Sequence, residues 1–301
     1  MLYVVYLKLK SHKKTLLTAA VLLLAVLAYF DTPRTAHWRT DTLPKVPAVE
    51  QLDTYLHDSE SKLELIPSLE KQIHWANPKA RERTPFGMVY LHGFSASNKE
   101  LSPLTEDLAK SLGANLYLGR FKAHGFPYGK RQEFRTVTAE DWLEDGAESL
   151  AIGETIGEKV ILVGMSTGCI SAMALAAKYP EKIAALILLS PNMQPADPRS
   201  YLLYLPFAEK IVRVLAMGII EPGFKARSDK QELYCSTKYD LNALTQMARL
   251  VKMVKPDFLD KIQVPTLFVY SEKDRVVLPS AIKEAFTHIG AQNKKIVEVP
   301  E

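Results

Sequence analysis

The residues with the strongest chemical signal are Gly164-Met165-Ser166-Thr167-Gly168. A serine hydroxyl is a weak nucleophile at neutral pH. It becomes effective when a base takes its proton and fixed donors hold the oxyanion it creates. An apolar run, Lys159-Val160-Ile161-Leu162-Val163, precedes the five residues and reads as a buried strand. A small-residue helical run, Cys169-Ile170-Ser171-Ala172-Met173-Ala174, follows them. Strand, sharp turn and helix together make G-x-S-x-G a nucleophile elbow rather than a Gly/Ser turn that merely caps a helix. Such a turn holds the serine in a strained backbone conformation, and the flanking glycines leave room where a Cβ would collide. Ser166 is therefore the candidate nucleophile, and the Thr167 N–H at the start of the helix is one candidate oxyanion donor.

The second donor is expected from the loop after an earlier strand. Met88-Val89-Tyr90-Leu91 reads as that strand and runs into His92-Gly93-Phe94-Ser95. Gly93 lets the backbone approach closely, and the Phe94 N–H is the chosen donor. His92 reads as a residue that shapes the loop, not as a base.

These residues need a scaffold, and the pattern supplies one. Leu101, Leu104, Leu108 and Leu112 give one apolar helical face, with Ser102 an N-cap candidate, Pro103 at the first position and Gly113 as the stop. Asn115-Leu116-Tyr117-Leu118 is the next strand, and Thr138 caps a helix carrying Trp142, Leu143, Ala147 and Leu150. After the elbow helix, closed by Tyr179-Pro180, comes another buried strand ending near Leu189. Apolar strands alternating with amphipathic helices predict an α/β fold, a mostly parallel sheet with helices on both faces. The alternation stops after Pro191 and resumes with the strand Thr266-Leu267-Phe268-Val269-Tyr270, a helix over 281–288, and the strand Lys295-Ile296-Val297-Glu298-Val299. Residues 192–264 read as a helical cap inserted between two strands. Its aromatics Tyr201, Tyr204, Phe207, Phe224, Tyr234 and Tyr239 either line an acyl pocket or pack the cap itself.

Four pieces in this order resemble the α/β-hydrolase superfamily, specifically its microbial carboxylesterase and monoacylglycerol-lipase-like branch. They are Leu91-His92-Gly93-Phe94-Ser95, the pair His124-Gly125, the elbow, and Ser271-Glu272-Lys273-Asp274-Arg275-Val276-Val277. The similarity covers residues 85–301. It implies a serine, acid, histidine triad in chain order, with Asp274 as the acid that orients the imidazole, a turn aspartate being the alternative. Glu272 is the fallback acid. His124 matches a pair that has a structural role in the family. The resemblance also implies that the histidine follows the last strand, and the sequence stops at Glu301 where that loop should begin. Of the seven histidines, His12, His37 and His57 precede the domain and His74 lies in a strand-like lead-in. His288 sits on the helix before the last strand, remote from Ser166. The expectation is an incomplete C-terminal end, with the triad histidine not present in this chain.

Other chemistries find little support. There is no H-E-x-x-H and no paired-cysteine spacing, so no metal is expected, and Cys169 and Cys235 make no disulfide framework. No Gly-rich phosphate loop follows the first strand, and no cofactor is expected. The net charge of +4 is matched by Lys8, Lys10, Lys13 and Lys14 alone, which leaves a balanced body and argues against a nucleic-acid partner. Those lysines lead into an uncharged apolar run over residues 15–30. A membrane anchor is the favoured reading of residues 1–30 over a cleaved signal peptide, with the bulk of the chain on the non-cytoplasmic side, or secreted or periplasmic if the segment is removed. Residues 31–84, with Pro33, Pro44 and Pro47, read as a stalk and lead-in. The expected activity is a serine hydrolase that cleaves a carboxylic ester with an apolar, lipid-like part. A thioester or a proline-type peptide could use the same machinery, and the rival is a non-catalytic binding protein of the same fold.

Overall fold

A computed structural model of the protein describes residues 17–27, 29, 34–127, 131–215 and 222–300. The core is a seven-stranded sheet in the order β1-β3-β2-β4-β5-β6-β7. Its strands are β1 (Gln72–His74), β2 (Thr84–Leu91), β3 (Asn115–Leu118), β4 (Gly157–Met165), β5 (Ile183–Leu189), β6 (Thr266–Tyr270) and β7 (Lys294–Glu298). All pairs are parallel except β1 with β3.

The inner stretches of the central strands, Met88–Leu91 in β2 and Val160–Val163 in β4, are buried and apolar because both faces of the sheet are covered. In β2, Val89 and Leu91 point into the larger core, while Met88 and Tyr90 point into a second cluster on the other face. The larger core is built with α3 (Ala139–Ile156) and α4 (Gly168–Lys178); the second lies under α2 (Leu104–Leu112). Helix α3 starts as expected: the Thr138 side chain accepts from the Asp141 N–H, and the Asp141 carboxylate accepts the Thr138 N–H in return. Helix α2 stops at Gly113, whose φ is +60°. It begins one residue later than expected, at Leu104, and the Ser102 hydroxyl donates to Glu106 Oε1 at 2.8 Å instead of capping the backbone.

Residues 34–84 differ from a stalk in both halves: Ala36 is buried in the large core, with Trp38, Leu43 and Val46 packed against it. Helix α1 (Leu52–Glu60) buries Leu52 and Leu56, and β1 extends the sheet edge in register with β3. Buried Glu60 pairs with buried Arg120 at 2.6 Å, so this lead-in is tied to the sheet by charge as well as apolar area.

Between β5 and β6 the chain passes through α5 (Ala208–Leu215), α6 (Asp229–Tyr234), α7 (Leu241–Val251) and α8 (Pro256–Leu259). Helix α7 joins this insertion to the sheet. Its Ala243, Met247 and Leu250 enter the large core, while Leu241 and Ala248 pack with Leu203 from the insertion. Helix α9 (Pro279–His288) completes the crossover to β7.

The apolar run over residues 15–30 lies partly outside the described residues. Residues 17–27 are helical with their side chains exposed. Among the described residues no helix is long and apolar enough to cross a membrane.

Candidate active site

Strand β4 is the middle strand of the sheet and ends at Met165, so it delivers Ser166 to the carboxyl edge, where α/β sheets form their sites. Ser166 has φ +50°, a left-handed conformation that costs a serine about 1–3 kcal/mol and persists only where its surroundings impose it. Here they do. The Ser166 N–H donates to Leu189 O at 2.9 Å, and its carbonyl accepts from Cys169 N and Asn192 N, each at 3.1 Å. The elbow glycines are required by close approach. A Cβ on Gly164 would lie 2.7 Å from Cys169 Cα, and one on Gly168 would lie 2.1 Å from Leu91 O and 2.5 Å from His92 O. The start of α4 is thus pressed against the end of β2.

That contact brings the loop after β2 to Ser166. A Cβ on Gly93 would sit 3.3 Å from Ser166 Cβ. Among the described residues, neither the Phe94 N–H nor the Thr167 N–H donates a hydrogen bond. Two unspent backbone donors therefore flank a left-handed serine, an arrangement able to bind an oxyanion.

Histidines build this loop without being free to act as bases. His92 Nδ1–H donates to Gly93 O at 2.8 Å and its Nε2 accepts the Phe121 N–H at 3.1 Å. His124 Nδ1–H donates to Lys122 O at 3.0 Å and its Nε2 accepts the Ser95 N–H at 3.0 Å. Burial keeps both rings neutral: it lowers His92 to about 4 and takes His124 well below the ordinary imidazole range. The Phe94 ring is held at its edges by Tyr239 (centroids 4.9 Å apart), Trp142 (6.0 Å), His124 (6.2 Å) and Phe134 (6.3 Å). Of the cap aromatics, Tyr239 is the one in ring contact with Phe94; Tyr201 and Phe224 are exposed.

Asp274 lies in the turn after β6, two strands from β4, and so roughly 10 Å across the sheet from the elbow. Its Oδ1 accepts the N–H groups of Val276 (2.8 Å) and Val277 (3.0 Å), which fixes the carboxylate by a turn. Its Oδ2 accepts no hydrogen bond among the described residues. Glu272 is occupied elsewhere, accepting from Tyr270 Oη (2.9 Å) and Lys283 Nζ (2.7 Å) on the outer side of β6. The remaining described histidines are engaged or sit on other elements. His37 pairs with Glu140, His57 is on α1, and His74 is in the edge strand β1. His288 ends α9, which returns to the amino edge of the sheet, opposite Ser166. His12 lies outside the described residues.

Two site residues carried no signal strong enough to be found from sequence. Asn192 donates its N–H to Ser166 O and its Nδ2–H to Thr167 Oγ1 at 3.1 Å, bracing the elbow from the end of β5. Glu100 accepts the Gly93 N–H at 2.8 Å and the Tyr90 hydroxyl at 3.0 Å through Oε2. No group of metal-ligating side chains occurs among the described residues.

Residues 86–301 match the family described as serine aminopeptidase, S33 (Hydrolase_4). The chain belongs to this family. Its architecture is accordingly the α/β-hydrolase fold, and solved structures agree. Over 78% of this chain and 89% of theirs, it superimposes with TM-score 0.65 and 19% identity on a structure from the metagenome-derived lipolytic enzymes LipS and LipT. A monoacylglycerol lipase of Paleococcus ferrophilus gives TM-score 0.58 and 17% identity, covering 77% of this chain and 88% of that one. In sequence, the S33 member described here is 27% identical over 224 residues to a thermostable monoacylglycerol lipase of Bacillus sp. (strain H-257), covering 74% of this chain and 84% of that lipase.

Proposed function

We propose that this S33-family protein is a serine hydrolase that cleaves carboxylic esters with an apolar, lipid-like part through an acyl-enzyme on Ser166. The observation that carries the reading is the left-handed Ser166 set against Gly93, with the Phe94 and Thr167 N–H groups both unspent. Ser166 Oγ attacks the ester carbonyl while its proton passes to a base, and the carbonyl oxygen becomes an oxyanion held by those two amides. The C–O bond to the alcohol breaks as the base returns the proton to the leaving oxygen. Water, deprotonated by the same base, then attacks the acyl-enzyme and releases the acid. Asp274, with Oδ1 fixed by its turn and Oδ2 open, has the role of orienting a histidine.

An ester with a lipid-like part is favoured by the similarity to lipolytic and monoacylglycerol-cleaving enzymes. The lysine-led apolar segment at the N-terminus fits the same substrate. As a membrane anchor it would hold the hydrolase domain at a bilayer on the non-cytoplasmic side, or release it to the periplasm or medium if cleaved. With imidazole supplied as base, kcat/KM for 1-monoacylglycerol and p-nitrophenyl acyl esters should exceed that for proline p-nitroanilide by at least roughly tenfold, about 1.4 kcal/mol of transition-state preference. Equal or faster cleavage of the anilide would overturn the ester assignment. A second reading, a non-catalytic binding protein of this fold, is favoured by one observation: each described histidine is engaged or placed away from Ser166.

A further inference from the structure

The oxyanion loop contains an ionisable group that the mechanism above does not use. Glu100 follows Gly93 by seven residues, and the loop turns back so that its carboxylate lies against Gly93 on the side that Ser166 also approaches. The position a Cβ would take on Gly93 is 3.1 Å from Glu100 Oε1, 3.2 Å from Oε2 and 3.3 Å from Ser166 Cβ. A carboxylate and a candidate nucleophile therefore face one another across a glycine that has no side chain to separate them. The side chain is exposed to solvent, while its Oε2 is held by the loop and by β2.

We propose that Glu100 is a positioning residue for the oxyanion hole: by accepting the Gly93 N–H it holds the Phe94 N–H toward Ser166, and its ionisation weakens that hole. The proposal rests on the serine-hydrolase reading. Glycine has the freest backbone of any residue, so a hole built on Gly93-Phe94 needs outside constraint. The peptides on either side of Gly93 are gripped separately. Glu100 Oε2 takes its N–H at 2.8 Å, and the His92 ring donates to its carbonyl at 2.8 Å. Behind the carboxylate, the Tyr90 hydroxyl from β2 fixes Oε2 in turn, at 3.0 Å. Removing the carboxylate leaves the Gly93 N–H without its partner and the hole with half its scaffold.

Charge is the second part. The titratable groups that bear on Glu100 are Tyr90 from β2 and Cys169 from α4, and Cys235 from the cap bears on Tyr90. None of them is a cation. Desolvation of the held carboxylate raises Glu100 to about 7, against the opposing pull of the Gly93 and Tyr90 hydrogen bonds. Below that pH the group is neutral and the oxyanion forms beside a neutral acceptor. Above it, a negative charge faces a developing negative charge across the width of one glycine, screened in part by the solvent that reaches Glu100. Reactivity through Glu100 thus falls as pH rises. This sign is opposite to that of a histidine base, whose deprotonation raises reactivity with pH, so the two can be told apart.

The experiment uses the 301-residue chain, its Glu100→Ala and Glu100→Gln variants, and two readouts. Amide exchange at Gly93 and Phe94, followed by NMR, needs no reactive serine. Phosphonylation of Ser166 by an alkyl fluorophosphonate, timed from pH 5.5 to 9 at a fixed concentration of neutral imidazole as base, needs one. Glu100→Ala should exchange its Gly93 amide, and lose phosphonylation rate, by at least about tenfold, the scale of a displaced catalytic group. Glu100→Gln keeps an acceptor oxygen without the charge. It should restore most of the protection and rate at pH 6 and lack the decline above pH 7 that the native chain shows. Unaltered Gly93 exchange in Glu100→Ala would overturn the proposal, as would a single pH profile shared by native and Glu100→Gln. Absence of a Ser166 adduct in every variant, with exchange still dependent on Glu100, would instead remove the hydrolase reading on which the proposal stands.

Discussion

Gly168→Ala is expected to destabilise the protein by about 3 kcal/mol or more and to abolish the reactivity of Ser166, a shift of roughly 6–12 °C in melting temperature for a domain of this size. The reason is a collision between main chains. A single methyl at this position would lie 2.1 Å from Leu91 O and 2.5 Å from His92 O, both backbone atoms at the end of β2. Flexible side chains can move aside, but β2 is paired on both edges, with β3 and β4, and cannot. Either α4 shifts away, which loosens the left-handed Ser166, or β2 shifts and takes the oxyanion loop with it. Gly113→Ala is the internal control. Gly113 has φ +60° and nothing within 4 Å of the added methyl, so it meets strain without collision and should cost only about 1 kcal/mol. Thermal denaturation followed by circular dichroism compares the two directly. A Gly168→Ala melting temperature as high as that of Gly113→Ala would contradict the packing described for the elbow.

The second large effect concerns the base. Added imidazole is expected to accelerate ester hydrolysis by residues 1–301 saturably, by roughly 10²-fold, within the range of 10²–10⁴ that a positioned general base supplies. The geometry behind this is the space between the turn of Asp274 and the elbow. Oδ1 of Asp274 is held by two backbone N–H groups while Oδ2 stays open, and β6 stands two strands from β4, which leaves width for an imidazole. None of the described histidines fills that role. His92 and His124 have both ring nitrogens engaged, and His288 is at the opposite edge of the sheet. Imidazole also cleaves activated esters in free solution, so the measured quantity is the saturable part absent from Ser166→Ala. Asp274→Ala should lose most of that part, because the added ring then has no carboxylate to orient it. Rescue that is linear in imidazole, or equal in Ser166→Ala, would favour the non-catalytic reading.

What could be read from sequence follows from the range of the interactions involved. The elbow is legible because its determinants are contiguous: an apolar run, a serine, two glycines and a small-residue helix. The capping box of Thr138 and Asp141 spans three residues and is equally plain. The strands β4 and β6 show as apolar runs because helices cover them, while the edge strand β7 shows only as the half-buried pair Ile296-Val297. Helix α1 and strand β1 fared worse. Strand β1 has three residues, too few to display a period, and its place is set by pairing with β3 some forty-five positions later. Asn192 and Glu100 illustrate the same limit at the site. Asn192 meets Thr167 twenty-five residues away, and Glu100 reaches Gly93 only because the polar loop between them reverses. A glutamate in a run such as Ser97-Asn98-Lys99-Glu100 resembles any solvated loop residue until the fold sets its carboxylate on the Gly93 N–H.

The most direct test is the site of a covalent adduct. The folded chain, treated with an alkyl fluorophosphonate in the presence of imidazole and digested, should carry one phosphonyl group, located by mass spectrometry on Ser166. The adduct should be missing from Ser166→Ala and from heat-unfolded protein. An unmodified Ser166 in folded protein, or modification that persists in Ser166→Ala, would contradict the assignment of this residue as the nucleophile.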